Sequence, residues 1–438
     1  MLKKFKQHLH QSFPFLEDGK LLIAVSGGID SVVLAHLCSQ LNLNFSLCHC
    51  NFNLRGQESN DDEAYVKELA KNLKVSVYTS SFETEKYATK NKVSIQVAAR
   101  DLRYAWFYEL LEKKDYEYVL TAHNTNDNLE TFIINLTRGS GLEGFTGIPP
   151  INNKAVRPLL AFSRDEITLF AIKNEIDWRE DKSNASIKYI RNKVRHKVIP
   201  ILQEINPHVL ESFQNTLEYL NESQSIINDA TKNISQKIVS YEHNLLTLNC
   251  KKLNELPNKK AYLYQLLHTY GFTAWNDVVD LVSGQPGKQV FSKTHRLLKD
   301  RNFLILTTNN QNLTEKGPFL IKETSAEISH PIKLTILNTA DSTPENKHQI
   351  IINKDLVTYP LSLKKWRHGD AMHPTGMTGS KKISQLFKDK KLSLLDKEKI
   401  WLLADAKDRI IWVIGLRQDR RFTADKTATN RLKISFIS

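Results

Sequence analysis

The chain has 438 residues, room for two to four ordinary domains. With 41% apolar and 25% charged residues it is globular in composition rather than disordered, and no run approaches the roughly 18 apolar residues of a transmembrane helix. Net charge is +13, and the stretch from Leu361 to Ser438 holds eighteen Lys or Arg against eight Asp or Glu, most of that surplus. A basic excess at one end suggests a polyanionic partner, nucleic acid first; a solvated basic face is the plainer alternative.

The N-terminus, MLKKFKQHLHQSF, lacks the apolar stretch of a secretory signal, so a cytoplasmic protein with no membrane partner is expected. Four cysteines (Cys38, Cys48, Cys50, Cys250) form no Cys-x-x-Cys and are too few for a disulfide framework. Up to about residue 205, apolar runs at 21–26, 44–52, 75–82 and 118–123 read as buried strands, with helical spacing between them. Strand and helix in alternation predict an α/β domain on a parallel sheet, with ligands at the carboxyl ends of its strands.

Four glycines, Gly139, Gly141, Gly144 and Gly147, mark a loop expected at the mouth of the site. Residues 208–315 read as a mainly helical middle domain and 316–349 as a linker or edge region. Residues 350–438 read as a small basic α/β domain, and 1–207 as the catalytic domain.

The strongest local signal is LLIAVSGGIDSVVLAHL, residues 21–37. A strand ends near Val25, and Ser26, Gly27, Gly28, Ile29, Asp30 and Ser31 turn into a helix. Two glycines allow close approach of backbone to phosphate, and the loop and first helical turn supply N–H donors. Asp30 is poorly placed against bare phosphate and is expected to act through Mg²⁺. No Walker A or GxGxxG pattern is present. A plain Gly-Gly turn with Asp30 as a helix-start acid remains the bland reading.

SGGIDS resembles the PP-loop of the N-type ATP pyrophosphatases, which gives a Rossmann-like fold and ATP as substrate. Five further stretches resemble the tRNA(Ile)-lysidine synthetase family: HCNFNLRGQESNDDEAYV (49–66), VAARDLRYAWF (97–107), residues 121–148, RPLL (157–160), and DWREDKSN with YIRNKVRHKVIP (177–200). WRHGDAMHPTGM and IIWVIGLRQDRRF resemble its C-terminal domain. The resemblance implies ATP-dependent ligation of the lysine ε-amine to the wobble cytidine of the isoleucine tRNA with a CAU anticodon. The cytidine would first be adenylated with release of pyrophosphate, and AMP would then leave. The family usually has a second histidine after His123, where this chain has Asn124.

In that setting Asp30, Arg100 and Asp127 are the expected catalytic residues, with Arg103 one helical turn from Arg100. His123, at the end of a strand, joins residues 26–31 as a nucleotide contact; a structural histidine is its plain alternative. A lysine ε-amine near pKa about 10.4 is almost wholly protonated at neutral pH, so carboxylates must bind it. Asp127 and Glu130 are the candidates, or else simple helix-start acids. Lys188, Arg191 and Arg195 share a helical face suited to RNA phosphates. In the C-terminal domain Lys364, Lys365, Arg367, Lys381 and Lys382 are expected to hold the tRNA backbone. A homodimer is left open. The competing readings are a PP-loop tRNA base thiolase and a non-catalytic RNA-binding protein.

Overall fold

The computed structural model describes residues 1–180, 190–242, 245–309, 317–341, 343–344, 346, 348–425 and 427–437. It divides into two compact units, Met1–Asn228 and Asp229–Ser438. Among the described residues no helix is long and apolar enough to cross a membrane.

In the first unit, β1 (Leu21–Ala24), β2 (Phe45–Asn51), β3 (Val77–Ser81), β4 (Tyr118–Leu120), β5 (Ile151–Asn152) and β6 (Ala155–Val156) form one sheet. Its order is β3-β2-β1-β4-β6-β5, parallel except where β5 meets β6. The helices in chain order are α1 (Leu2–Ser12), α2 (Ile29–Gln40), α3 (Gln57–Leu73), α4 (Thr84–Asn91), α5 (Ile95–Lys114) and α6 (Thr125–Thr137). They continue with α7 (Leu142–Phe145), α8 (Arg164–Lys173), α9 (Ile190–Lys193), α10 (Ile199–Ile205) and α11 (Val209–Ile238).

Strand alternation assigns the two faces. Leu21 and Ile23 of β1 pack with apolar residues of α1, α2, α3 and α8, whereas Leu22 packs with Phe107, Leu110 and Leu111 of α5. All three strand residues are fully buried, and burial of a side chain this size is worth about 1.5–3 kcal/mol. After β1 the chain moves outward through β2 and β3, then returns to the other side of β1 as β4. The carboxyl ends of β1 and β4 therefore flank the point where strand order reverses, the usual ligand crevice of such sheets.

The first unit does not end at 207. Phe213 and Leu217 of α11 belong to a core with Leu129 and Ile134 of α6, Val194 and Ile199. In the second unit the middle region is helical, as its pattern predicts, and also contains an antiparallel sheet. The strand order there is Val239–Glu242, Leu245–Asn249, Phe303–Thr308, His295–Asp300, Gln289–Phe291.

The remainder is dominated by a five-stranded and a four-stranded antiparallel sheet, with short helices at Ile383–Asp389 and Leu394–Lys399. The stretch read as a linker or edge contributes edge strands Phe319–Ile321 and Glu327–Ile328 and the inner strand Lys333–Asn338, which pairs with Arg431–Ile437.

Candidate active site

The loop after β1 is built as its glycines require. Gly27 has φ +94°, a conformation that favours glycine, and Gly28 is the extended N-cap of α2. Ser31 closes the turn: its hydroxyl donates to the Gly28 carbonyl at 2.9 Å and accepts the Ser26 N–H at 3.1 Å. It is a builder of the loop, and Ser26 Oγ lies 3.3 Å from it. The Gly27 carbonyl accepts the Arg179 N–H at 3.0 Å, so residue 179 supports the loop from outside.

At the end of β4, His123 sits beside Thr121 Oγ1 at 3.1 Å. Burial, with Arg157, Arg191, Arg103 and Arg100 around it, pushes its imidazole down to about 3, so it is neutral at physiological pH. Asn124 caps α6 in a reciprocal box: its Oδ1 accepts the Asp127 N–H, and Asp127 Oδ2 accepts the Asn124 N–H, both at 3.1 Å. The Asn124 amide also donates to Asp30 Oδ1 at 3.0 Å, and Arg164 donates to Asp30 Oδ2.

Glu130, one turn beyond Asp127, is fully buried. Arg195 forks onto it with Nε at 2.5 Å from Oε1 and Nη2 at 3.1 Å from Oε2, and Arg191 Nε lies 3.4 Å away. Arg195 Nη2 also reaches Asp127 Oδ1 at 3.2 Å. Arg195 stands on a single π-helical turn, Val194–Val198, a distortion frequent at functional sites. Glu130, expected as a lysine ligand, thus holds two arginines, and Arg191 and Arg195, expected on an RNA-facing helix, line the cavity wall and pair with acids of α6.

The elements enclose a cavity of about 860 Å³. Six arginines line it: Arg55, Arg103, Arg164, Arg179, Arg191 and Arg195. Against them stand Asp30 and Asp127, together with Asp62, which accepts Arg55 at 2.8 Å and Arg179 at 2.6 Å. Ser26, Gly28, Ile29, Ser31 and His123 also line it. Arg100 does not; it is exposed and stacks on Tyr104 at 5.1 Å, while Arg103 lies in the wall over the Phe52 ring at 5.3 Å. The four loop glycines do not line it either. The short helix α7 fills that loop, and Phe145 packs on Phe132 with ring centroids 5.1 Å apart.

A hard divalent cation fits this donor set. Burial first, and then the charge of Asp127, raise the Asp30 carboxyl, while Arg164 opposes them; two carboxylates thus face one space. Among the described residues no group of three or more His, Cys, Asp or Glu forms a metal cage. Mg²⁺ is commonly held by one or two carboxylates with water and substrate phosphates.

Sequence reasoning missed Arg164, Arg179 and Asp62. Arg164 carried a signal: it opens a helix behind the Ser163–Glu166 capping box, where a cation opposes the helix dipole. The other two lie in the family-like stretches 49–66 and 177–184, but nothing local could pair them, since 117 residues separate them.

Outside the cavity, Lys188 lies beyond the described residues. Lys364, expected on the tRNA backbone, is 3% exposed and pairs with Asp370 at 3.2 Å and Asp408 at 2.6 Å. Lys365 donates to the carbonyls of Glu398 (2.7 Å) and Lys399 (3.2 Å) at a helix C-terminus, and sits over Trp401 at 3.9 Å. Lys381 pairs with Asp389. Arg367 and Lys382 are exposed.

Three family models match the chain: a PP-loop domain over residues 1–202, a TilS substrate binding domain over 240–309 and a TilS substrate C-terminal domain over 361–434. A tRNA(Ile)-lysidine synthase of Bacteroides thetaiotaomicron is 36% identical, the match covering 96% of this chain and 95% of that one. Its counterpart in Parabacteroides distasonis is 37% identical over 96% of each. Among solved structures, a U34-tRNA thiolase from Methanococcus maripaludis is 19% identical, with a TM-score of 0.42 over 50% of this chain and 80% of that one. With the likeness to the two lysidine synthases running through both units, the chain belongs to the tRNA(Ile)-lysidine synthase family.

Proposed function

We propose that the chain ligates lysine to the wobble cytidine of the CAU-anticodon isoleucine tRNA, converting ATP to AMP and pyrophosphate. The observation that carries this reading is the Ser26–Ser31 loop at the switch point of a parallel sheet, opening into an arginine-lined cavity that also presents Asp30 and Asp127.

In the first step the cytosine 2-oxygen attacks the α-phosphorus and the bond to the β-phosphate breaks. Charge builds on the phosphoryl oxygens, and the loop amides, the positive end of α2 and the cavity arginines are the groups that stabilise it. Mg²⁺ held by Asp30 would neutralise phosphate charge and orient the leaving pyrophosphate. Arg103, in the cavity wall, takes the place at which Arg100 was expected. In the second step the lysine nitrogen forms a bond to cytosine C2, AMP leaves, and the amine gives up a proton.

Asp127 is the carboxylate for the incoming ammonium, with Glu130 retaining Arg195 and Arg191 beside it. His123, being neutral, can offer a hydrogen bond but not a positive charge. Exposed cations of the C-terminal region, Arg367 and Lys382, hold RNA phosphates.

A thiolase would use an activated sulfur. The two thiols of the cavity wall, Cys48 and Cys50, are instead driven away from thiolate by burial, Cys50 up to about 12.

Incubation with ATP, Mg²⁺, radiolabelled lysine and an unmodified isoleucine transcript bearing CAU should place label on that RNA and none on methionine tRNA. Protein that binds ATP but incorporates no label would remove lysine as the nucleophile. Asp127→Asn should raise the KM for lysine about tenfold, the value of one charge-assisted contact, with little change in that for ATP.

A further inference from the structure

Arg164 is the cavity arginine whose position the reaction described above does not yet explain. It is the first residue of α8, and three helix N-termini meet around it. Its own N–H donates to Asn126 Oδ1 at 2.9 Å, at the start of α6, and its guanidinium reaches Asp30 at the start of α2. Each N-terminus carries about half a positive charge, so a cation is out of place here without an acid beside it. Asp30 is that acid.

The two oxygens of Asp30 are held differently. Oδ1 accepts the amide of Asn124, which is buried and fixed by its capping box; Oδ2 accepts Arg164, whose side chain is 44% exposed. The backbone of Arg164 is pinned, with Thr168 Oγ1 donating to its carbonyl at 2.9 Å and Ser163 and Glu166 closing the cap. The base of the side chain is thus fixed, while its half-exposed end lines the cavity and is held by the one contact to Asp30.

We infer that Arg164 exchanges partners when nucleotide binds: it holds Asp30 Oδ2 until a divalent cation takes that oxygen, and then passes to the phosphates. The inference rests on the ATP reading above. Before the exchange Arg164 neutralises Asp30. Afterwards the cation sits on Asp30 and the guanidinium on phosphate, so no charge is left unpaired at either stage. Asn124 keeps the carboxylate aimed throughout. Bare metal ion is thereby a poor ligand for Asp30, and metal and nucleotide enter together.

The test is binding, without turnover. Mn²⁺ is titrated into nucleotide-free protein and the free ion followed by electron paramagnetic resonance; ATP affinity is measured by equilibrium dialysis with Mg²⁺ and no tRNA. Arg164→Ala should bind Mn²⁺ about tenfold more tightly than the parent and ATP about tenfold more weakly, the loss of one charge-assisted contact. Adding Asp30→Asn to Arg164→Ala should erase the gain in Mn²⁺ affinity. Arg164→Lys, which keeps the charge and serves if the alanine variant folds poorly, should fall between. Mn²⁺ affinity unchanged in folded Arg164→Ala overturns the inference, as does a gain in Mn²⁺ with ATP affinity unchanged. A parent protein that binds no ATP would instead overturn the function on which the inference rests.

Discussion

Charged side chains find many of their partners at different sequence ranges in the two ends of this chain. Around the cavity most pairs join distant segments, with 134 residues between Asp30 and Arg164 and 65 between Glu130 and Arg195, Arg55 and Asp62 being a local exception. In the C-terminal third several close locally: Lys364 and Asp370 are six residues apart, Asp405 and Arg409 four, although Lys364 also reaches Asp408, 44 residues on. Long-range pairs tie separate elements around a common space and leave charge facing it. Local pairs neutralise charge inside one sheet. Net charge in the C-terminal third therefore overstates the charge available to a partner, whereas in the cavity the arrangement, more than the count, makes the site.

Five substitutions would break or sharpen this contrast. Asp30→Asn should lower turnover about 10²- to 10³-fold, as loss of a transition-state contact does, with tRNA affinity nearly unchanged in a filter-binding assay. Lys364→Ala should cost about 2–4 kcal/mol, since it removes a buried cation and leaves half-buried Asp370 without it; thermal melting would show this, and the salt dependence of tRNA binding should stay as it was. A reduced salt slope with unchanged melting would instead make Lys364 a phosphate contact.

His123 gives a pH test. Its folded value of about 3 lies below the unfolded value of about 6.5, so between them the unfolded chain binds the extra proton and stability falls as pH drops. The loss should reach about 1–2 kcal/mol by pH 5 in urea unfolding, and His123→Gln should remove that part of the slope. The smallest effects belong to Arg367→Ala and Lys382→Ala. Each should weaken tRNA binding a few-fold and lower the salt slope by about one.

What could be read from the sequence was local. A buried strand, two glycines and a helix start lie within seventeen contiguous residues, so the loop was legible as a pattern; His123 at a strand end and Asp127 at a helix start were picked out in the setting of the family resemblance. Arg100 and Arg103 show where pattern stops. Both lie on one helical face, and spacing cannot say how far along α5 the sheet extends. Arg103 is one turn from buried Phe107 and enters the cavity; Arg100 is two turns away and is exposed. Glu130 looked like a free acid because its arginines come from beyond β6 and α8. The middle sheet was hidden for another reason: its strands are three to six residues long and alternate with helices of similar apolar content.

Helix α11 has a practical consequence for dissecting the molecule. It runs from Val209 to Ile238, placing Phe213 and Leu217 in the core beneath α6 and Ile238 in the core of the middle sheet. A fragment ending at 207 would strip the cover from Leu129 and Ile134, and one starting at 239 would lose Ile238. Each fragment needs its own part of the same helix, so limited proteolysis within it should yield two pieces that are each less stable than the intact chain.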